Sequence, residues 1–382
     1  MTFLEKLVYL DNSATTKPCR SAVEYVRASM EEEWGNPSSL HSLGMNAQIG
    51  VDECRQEIAR LIHSSQDEIY FTGSGTEANN TAILGAAQAG KKRGKRIVTT
   101  AVEHPSVLNT VKRLEEQGFE VVYLKPQKNG VVCEEELQKA ITADTVLVSM
   151  MLVNNELGSV MPVKKAVEFV KQVNAPALIH CDAVQAFGKM PISVKELGVD
   201  LLTASGHKIH GPKGIGFLYV KKSVHIPALI TGGGQEKNLR SGTEAVPLIR
   251  GLLGALKELG NIEKQLEKQK ELWIYAKEKL KNTGFVQINS SEDVLPFILN
   301  ISVSGYRSEI LLHFLESKNI FVSSGSACAK GEGSYVLREC GFDRKSVDSA
   351  LRISFSRENS EQDIDILAEA LTAATKKLRK AN

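Results

Sequence analysis

Two features of the 382-residue sequence predict an α/β protein, a large domain with a mostly parallel seven-stranded sheet plus a smaller α+β domain. Between Glu68 and Val220, runs rich in Val, Ile and Leu (EIYFT, RIVTTA, EVVYLK, TVLVSMMLV, ALIHCDA, VDLLTAS and GIGFLYV) alternate with longer stretches of helical period. Strands buried on both faces read as continuous apolar runs, and parallel strands need covering helices to cross between them. Beyond Pro247 the texture changes to a long charged helical stretch followed by short strands and helices, the pattern of a second unit. Composition agrees, because 42% hydrophobic and 24% charged residues exclude disorder and leave enough apolar sequence for a large core.

The elements follow in order. In MTFLEKLVYLDNSATT, Glu5 and Lys6 interrupt the apolar run that a signal peptide needs, so no export is expected. The apolar stretch Thr145 to Val153 is far shorter than the roughly 20 residues that cross a bilayer, and a cytoplasmic protein without membrane contact is expected. Ala47, Val51, Cys54, Ile58 and Leu61 share one helical face, which predicts an amphipathic helix from Gly44 to His63 with Cys54 in the core. Leu248 to Asn282 reads as one connecting helix. After it come strands at FVQINS and FILNISVS, a helix around Ser308 to Lys318, a Gly/Ser-rich loop and a last helix from about Ser360 to Arg379.

Charge and cysteine usage narrow the function. Lys and Arg number 47 against 45 Asp and Glu, with no block of one sign, so a nucleic-acid binder driven by bulk electrostatics is not expected. The cysteines at positions 19, 54, 133, 181, 328 and 340 form no C-x-x-C pair, which argues against a zinc ribbon, a thioredoxin motif and a disulfide framework.

Three segments carry possible chemistry, each after a strand. At Gly73-Ser74-Gly75-Thr76 a strand gives way to a helix, and free N–H groups at a helix start can cradle a phosphate, although an ordinary strand-to-helix turn looks the same. It lacks the Lys of a P-loop and the third Gly of a dinucleotide fingerprint. Asp182 ends a buried-looking strand, where it could pair with a protonated ring nitrogen or simply cap the next turn. Lys208 sits in a Gly-rich loop after another strand. A lysine beside apolar strands and near cations loses its proton easily and can form a Schiff base with an aldehyde, but surface lysines are far commoner. His207 and His210 have no carboxylate or cysteine ligand within their loop, which argues against a metal. One ligand carrying phosphate, ring nitrogen and aldehyde satisfies all three segments: pyridoxal 5′-phosphate.

The motifs YLDNSATT, GNPSSLH, FTGSGTEANN, EHPSV, VNNELGSVMP, HCDAVQ, SGHKIHGPKGIG, GGGQEKNLRSGTE and SSGSACAKGEGSYVLRECG strongly resemble the cysteine desulfurases of the NifS/IscS type. These belong to the class V aminotransferase group of fold type I pyridoxal phosphate enzymes, and the resemblance covers essentially the whole chain. It implies a large cofactor-binding domain over residues 15–260 and a small domain from 1–14 and 261–382 that carries the catalytic cysteine loop.

By the same resemblance, Lys208 holds the cofactor and moves the substrate α-proton, and Asp182 pairs with the ring nitrogen. Gly75, Thr76, Ser205 and His207 bind the phosphate, joined by Thr243 from the second subunit of a homodimer. His104 stacks on the ring and transfers protons, whereas by itself it reads as a packed or capping histidine. Asn155 and Gln185 contact the ring and its phenolic oxygen. Arg352, with Asn155, takes the substrate carboxylate, for which a guanidinium offers a planar fork. Asn12 and His41 fall in family motifs without an assigned role.

Cys328 lies among small residues, the composition of a mobile exposed loop, and its thiolate would attack the sulfur of L-cysteine, release alanine and hold a persulfide. Cys19, Cys133, Cys181 and Cys340 read as structural. The implied partner is a sulfur-acceptor protein, an iron–sulfur scaffold or a tRNA-thiolation enzyme. The AKGEG stretch after Cys328 is about two residues shorter than the family pattern and lacks its proline, which bears on acceptor choice. A selenocysteine lyase, an aminotransferase on the same fold and a non-catalytic scaffold in a sulfur-transfer complex are the alternatives. Cys328 favours desulfuration, and the presence of the cofactor residues weakens the scaffold.

Overall fold

The computed structural model describes residues 6–324 and 333–380. After a short first strand, β1 (Val8–Tyr9), the seven apolar runs form β2 (Ile69–Thr72), β3 (Arg96–Thr100), β4 (Glu120–Leu124), β5 (Thr145–Met151), β6 (Leu178–Asp182), β7 (Leu201–Ser205) and β8 (Gly216–Val220). They make one sheet in the order β2-β8-β7-β6-β5-β3-β4. Only β8 runs against its neighbours. Every residue of β5, β7 and β8 is buried, which is why these runs show no alternation in the sequence.

The sheet determines where a ligand can sit. The parallel strands place their carboxyl ends along one edge, and there Asp182 ends β6 while Ser205 ends β7. Two helices start at the same edge: Gly75–Gly90 follows β2, and Pro105–Glu116 follows β3.

A second sheet is antiparallel, in the order β12-β10-β9, built from β9 (Val286–Ile288), β10 (Ile298–Val303) and β12 (Ala350–Ser354). Leu272, Trp273, Leu299, Ile301, Leu351, Ile353, Leu367 and Leu371 form its own apolar core. They come from this sheet and from the helices Ile262–Lys281 and Glu361–Lys377. Because side chains alternate along a strand, Leu351 and Ile353 in that core turn Arg352 between them toward the opposite face. Val8 and Tyr9 of β1 pair in parallel with β11 (Ile320–Phe321).

The stretch read as one connecting helix is two, Val246–Lys257 and Ile262–Lys281. Gly260 at φ +64° supplies the left-handed residue that ends the first. Asn261 then caps the second, its Oδ1 accepting from the Lys264 N–H at 2.9 Å. The amphipathic helix spans Ser42–Leu61 and buries Cys54 as expected.

Candidate active site

A cavity of about 300 Å³ opens at the carboxyl edge of the large sheet. It is lined by Gly75, Thr76, His104, Asn155, Asp182, Gln185, Ser205, His207 and Lys208, residues that the sequence scatters over more than a hundred positions.

Gly75 and Thr76 form the first turn of the helix Gly75–Gly90, which Ser74 caps by accepting from the Glu77 N–H at 3.1 Å. A Cβ on Gly75 would lie 3.0 Å from Val184 Cγ2 and 3.4 Å from Ser205 Cβ, so the helix start approaches the ends of β6 and β7 closely only because the residue is glycine. The result is a concave run of small residues and unused N–H groups suited to an anion.

Asp182 is buried at the end of β6. Its Oδ1 accepts from the Val184 N–H at 3.0 Å and its Oδ2 from Asn79 Nδ2 at 2.7 Å. It therefore caps the following turn and also presents a carboxylate to the cavity.

Lys208 ends a single 3-10 turn, Gly206–Lys208, and donates from Nζ to the carbonyls of Ser13 at 2.5 Å and Ala14 at 2.8 Å. Burial and then Arg352 bring its pKa down to about 8, against the opposing pull of Asp11 and Asp182. An amine that reaches its neutral form near physiological pH is what condensation with an aldehyde requires.

His104 caps the helix Pro105–Glu116, with Nδ1 accepting from the Ser106 N–H at 3.2 Å, so the capping role is real and coexists with its place in the cavity wall. Burial lowers its pKa; Asp182 opposes that shift and Lys208 adds to it. His207 contacts Thr15 Oγ1 at 3.2 Å through Nδ1, and burial, followed by Lys208, Lys213 and Lys189, takes its pKa down to about 4. Gln185 donates to the Ser13 carbonyl at 3.0 Å and accepts from Lys189 Nζ at 3.1 Å. Asn155 Oδ1 is buried with no hydrogen-bond partner among the described residues, an acceptor left open in the cavity wall.

Arg352 stands behind this wall. It donates from Nη1 to the Asn155 carbonyl at 3.0 Å and from Nη2 to Asp11 Oδ1 at 2.8 Å, while its buried Nε has no partner among the described residues. Thr243 is exposed and does not line this cavity. Cys328 lies outside the described residues. Of the cysteines read as structural, Cys19, Cys181 and Cys340 are buried, whereas Cys133 is half-buried and donates to Glu135 Oε2 at 2.6 Å.

Sequence reasoning missed Asn79, Ser106 and Lys189. Asn79 lies one helical turn beyond Thr76, and Lys189 reaches Gln185 through the non-helical turns after β6. The assembled site offers an anion cradle, a buried carboxylate and a near-neutral amine within one cavity.

Residues 8–367 match the family model described as aminotransferase class-V. This chain belongs to the class-V aminotransferase family. Within it, the chain falls among the cysteine desulfurases of the NifS/IscS type. It is 40% identical over 382 residues to the cysteine desulfurase IscS of Methanosarcina thermophila, covering 98% of this chain and 93% of that one. It is also 40% identical to the putative cysteine desulfurase IscS 1 of Bacillus subtilis (strain 168), over 97% and 99% of the two chains. A solved NifS-like protein superposes with a TM-score of 0.92 at 36% identity, covering 98% of this class-V chain and 100% of its own. A structure described as SspA in complex with cysteine follows it, with a TM-score of 0.81, 32% identity and coverage of 91% and 98%.

Proposed function

We propose that this chain uses pyridoxal 5′-phosphate to convert L-cysteine to L-alanine and retains the sulfur as a persulfide on Cys328. The observation that carries the reading is the meeting of Lys208, Asp182 and the Gly75–Thr76 helix start in one cavity. Those three groups match an aldehyde, a ring nitrogen and a phosphate. The open acceptor on Asn155 fits a further polar contact from the same ligand. The solved relative that holds cysteine supports the substrate.

When bound, the cofactor supplies an electron sink that makes the substrate α-carbon acidic and its C–S bond labile. Lys208 retains it through Nζ and, with its pKa near 8, accepts and returns the α-proton close to neutral pH. The Asp182 carboxylate would hold a proton on the ring nitrogen. The N–H groups of Gly75 and Thr76 would hold the phosphate together with Ser205 and His207, and Thr243 of a second subunit would join them. Asn155, Gln185 and His104 would bind the ring. Arg352, behind the cavity wall, would take the substrate carboxylate by the family resemblance, and its buried Nε has no partner among the described residues. The Cys328 thiolate then attacks the substrate sulfur, takes it as persulfide sulfur, and the carbon fragment leaves as alanine after protonation.

A homodimer is supported by the exposed large apolar side chains of Met30, Trp34, Leu40, Met45 and Ile49, which fall close together in the sequence. A cytoplasmic setting is supported by the free thiols of the five cysteines among the described residues. The sulfur passes to an acceptor protein, an iron–sulfur scaffold or a thiolation enzyme.

The test is alanine and persulfide formation from L-cysteine. The native protein should produce both, and Cys328→Ser should keep the bound chromophore and its response to cysteine while forming no alanine. Substantial alanine from that variant would replace desulfuration by the lyase reading.

A further inference from the structure

We infer that Asn79 and Ser106 are positioning residues that hold His104 as the neutral imidazole with its proton on Nε2. The geometry directs every proton in the chain of bonds that joins Asp182 to His104. A carboxylate only accepts, so the Asn79 atom 2.7 Å from Asp182 Oδ2 must be the amide nitrogen. That same Nδ2 lies 2.9 Å from Ser106 Oγ and places its second proton there. Ser106 Oγ lies 2.8 Å from His104 Nδ1 and, with a second lone pair, could donate or accept there, so the backbone N–H decides the direction. The Ser106 backbone N–H donates to Nδ1, at 3.2 Å, so the hydroxyl must donate there as well. Nδ1 thus receives two donors and has no place for a proton of its own.

The alternative amide orientation is excluded by the same atoms, because it would set the Asn79 carbonyl against the Asp182 carboxylate. Asn79 is 1% exposed, and its Oδ1 has no partner among the described residues, so the residue keeps an unsatisfied acceptor in order to aim both amide protons. With Nδ1 occupied, Nε2 is the ring nitrogen left to serve the cavity that His104 lines.

The charged groups facing the imidazole are Asp182 from the end of β6 and Lys208 from the turn after β7. Glu103, the preceding residue, turns its Oε1 to Thr100 Oγ1 and the Met151 N–H instead. Burial outweighs the attraction of Asp182, which agrees with a neutral ring. Protonating Nδ1 would oppose its N–H to that of Ser106 and force the hydroxyl to turn around. His104 therefore enters turnover as a donor at Nε2, and removal of the α-proton is left to Lys208. The tautomer stands on geometry alone, whereas this consequence for turnover rests on the function proposed above.

The experiment is long-range 1H–15N correlation on the cofactor-loaded protein carrying ring-15N histidine, with the His104 signals assigned by their loss in His104→Gln. At neutral pH, Nε2 should show the pyrrole-like shift and Nδ1 the pyridine-like shift. Ser106→Ala removes one of the two donors that favour the neutral ring, so the His104 titration midpoint should rise by about half a pH unit to one unit. Ser106→Thr keeps a hydroxyl and should restore the native midpoint, which a merely structural role would not require. A proton on Nδ1, or a cationic His104 at pH 7 in the native protein, would overturn the inference. So would a Ser106→Ala midpoint equal to the native one. If Ser106→Ala does not fold, the native tautomer decides alone. Loss of the desulfurase reading would show differently, as absent alanine formation with the Nε2–H tautomer intact.

Discussion

The two walls of the cavity handle buried charge in opposite ways. On one, Glu103, His104 and Asp182 are neutral or hydrogen-bonded. Burial raises the Glu103 pKa to about 8, with the Met151 N–H and Thr100 hydroxyl pulling the other way, and Asp182 is held by Asn79 and Val184. On the other, Lys189 and Arg352, behind the lining, crowd like charges against Lys208, and among the described residues only Arg352 of the three has a carboxylate partner, Asp11 at 2.8 Å. Burial first, then Lys208 and Arg352, brings Lys189 down to about 7. The first wall is built to position, and the second to make amines reactive. A cluster of like charges costs folding stability, which is the ordinary price of a perturbed catalytic pKa.

The largest way to break this comparison is to remove its reactive amine. Lys208→Ala should eliminate the chromophore that borohydride fixes to the protein and reduce turnover to background, because no other lysine among the described residues lines the cavity. Retained borohydride-fixable colour would assign the amine elsewhere. The same variant relieves Lys189, whose second cause of depression is Lys208.

Each wall was partly legible in the sequence: Asp182 and Lys208 follow recognisable strands, whereas Asn79 and Lys189 take their meaning from distant partners. Asp182 and the Gly75–Thr76 turn follow strands whose apolar runs are unmistakable, so their place at the carboxyl edge could be read directly. Asn79 could not, since its meaning comes from Asp182, 103 positions away, and from Ser106. Lys189 falls in no motif that marks it as buried, and its setting is visible only once Phe297 is found with its ring centroid 5.8 Å from Nζ. The same limit explains the fold errors. Gly260 is one residue in a charged periodic stretch that continues beyond it, and β1 pairs two residues with a segment more than three hundred positions later.

Lys189 sharpens the comparison through stability. Its native pKa is about 7, below the ordinary value near 10.4, so between those limits the unfolded chain binds a proton that the native state does not. Stability contributed by this site therefore rises with pH across that window, and its full penalty is present below about pH 7. Lys189→Met removes the penalty along with the contact to Gln185. Relative to the native protein, the variant should be favoured most at or below pH 7 and lose that advantage, by a few kcal/mol, as pH approaches 10. Urea unfolding midpoints of both proteins from pH 6 to 10 give the difference. A constant gap would mean that Lys189 titrates normally and that crowding is confined to Lys208.

Glu103 should show the opposite sign and an effect of comparable size. Its native pKa of about 8 lies above the unfolded value near 4.3, so in that interval the unfolded chain binds fewer protons than the native state. The contribution of this site is fully present below about pH 4 and falls as pH rises toward 8. Glu103→Gln keeps the shape and one acceptor for the Thr100 hydroxyl and the Met151 N–H. Its amide nitrogen replaces Oε2, which is buried without a partner among the described residues. The glutamine cannot ionise, so the variant should match the native protein near pH 5 and exceed it by on the order of 1 to 3 kcal/mol at pH 8. The two donors to Oε1 favour the ionised native carboxylate, and the pKa of about 8 is what remains after their pull. Unfolding midpoints between pH 5 and 8 measure it. If the two proteins keep parallel profiles, Glu103 is ionised in the native state, and the wall that orients His104 carries two buried negative charges where the comparison assigns it one.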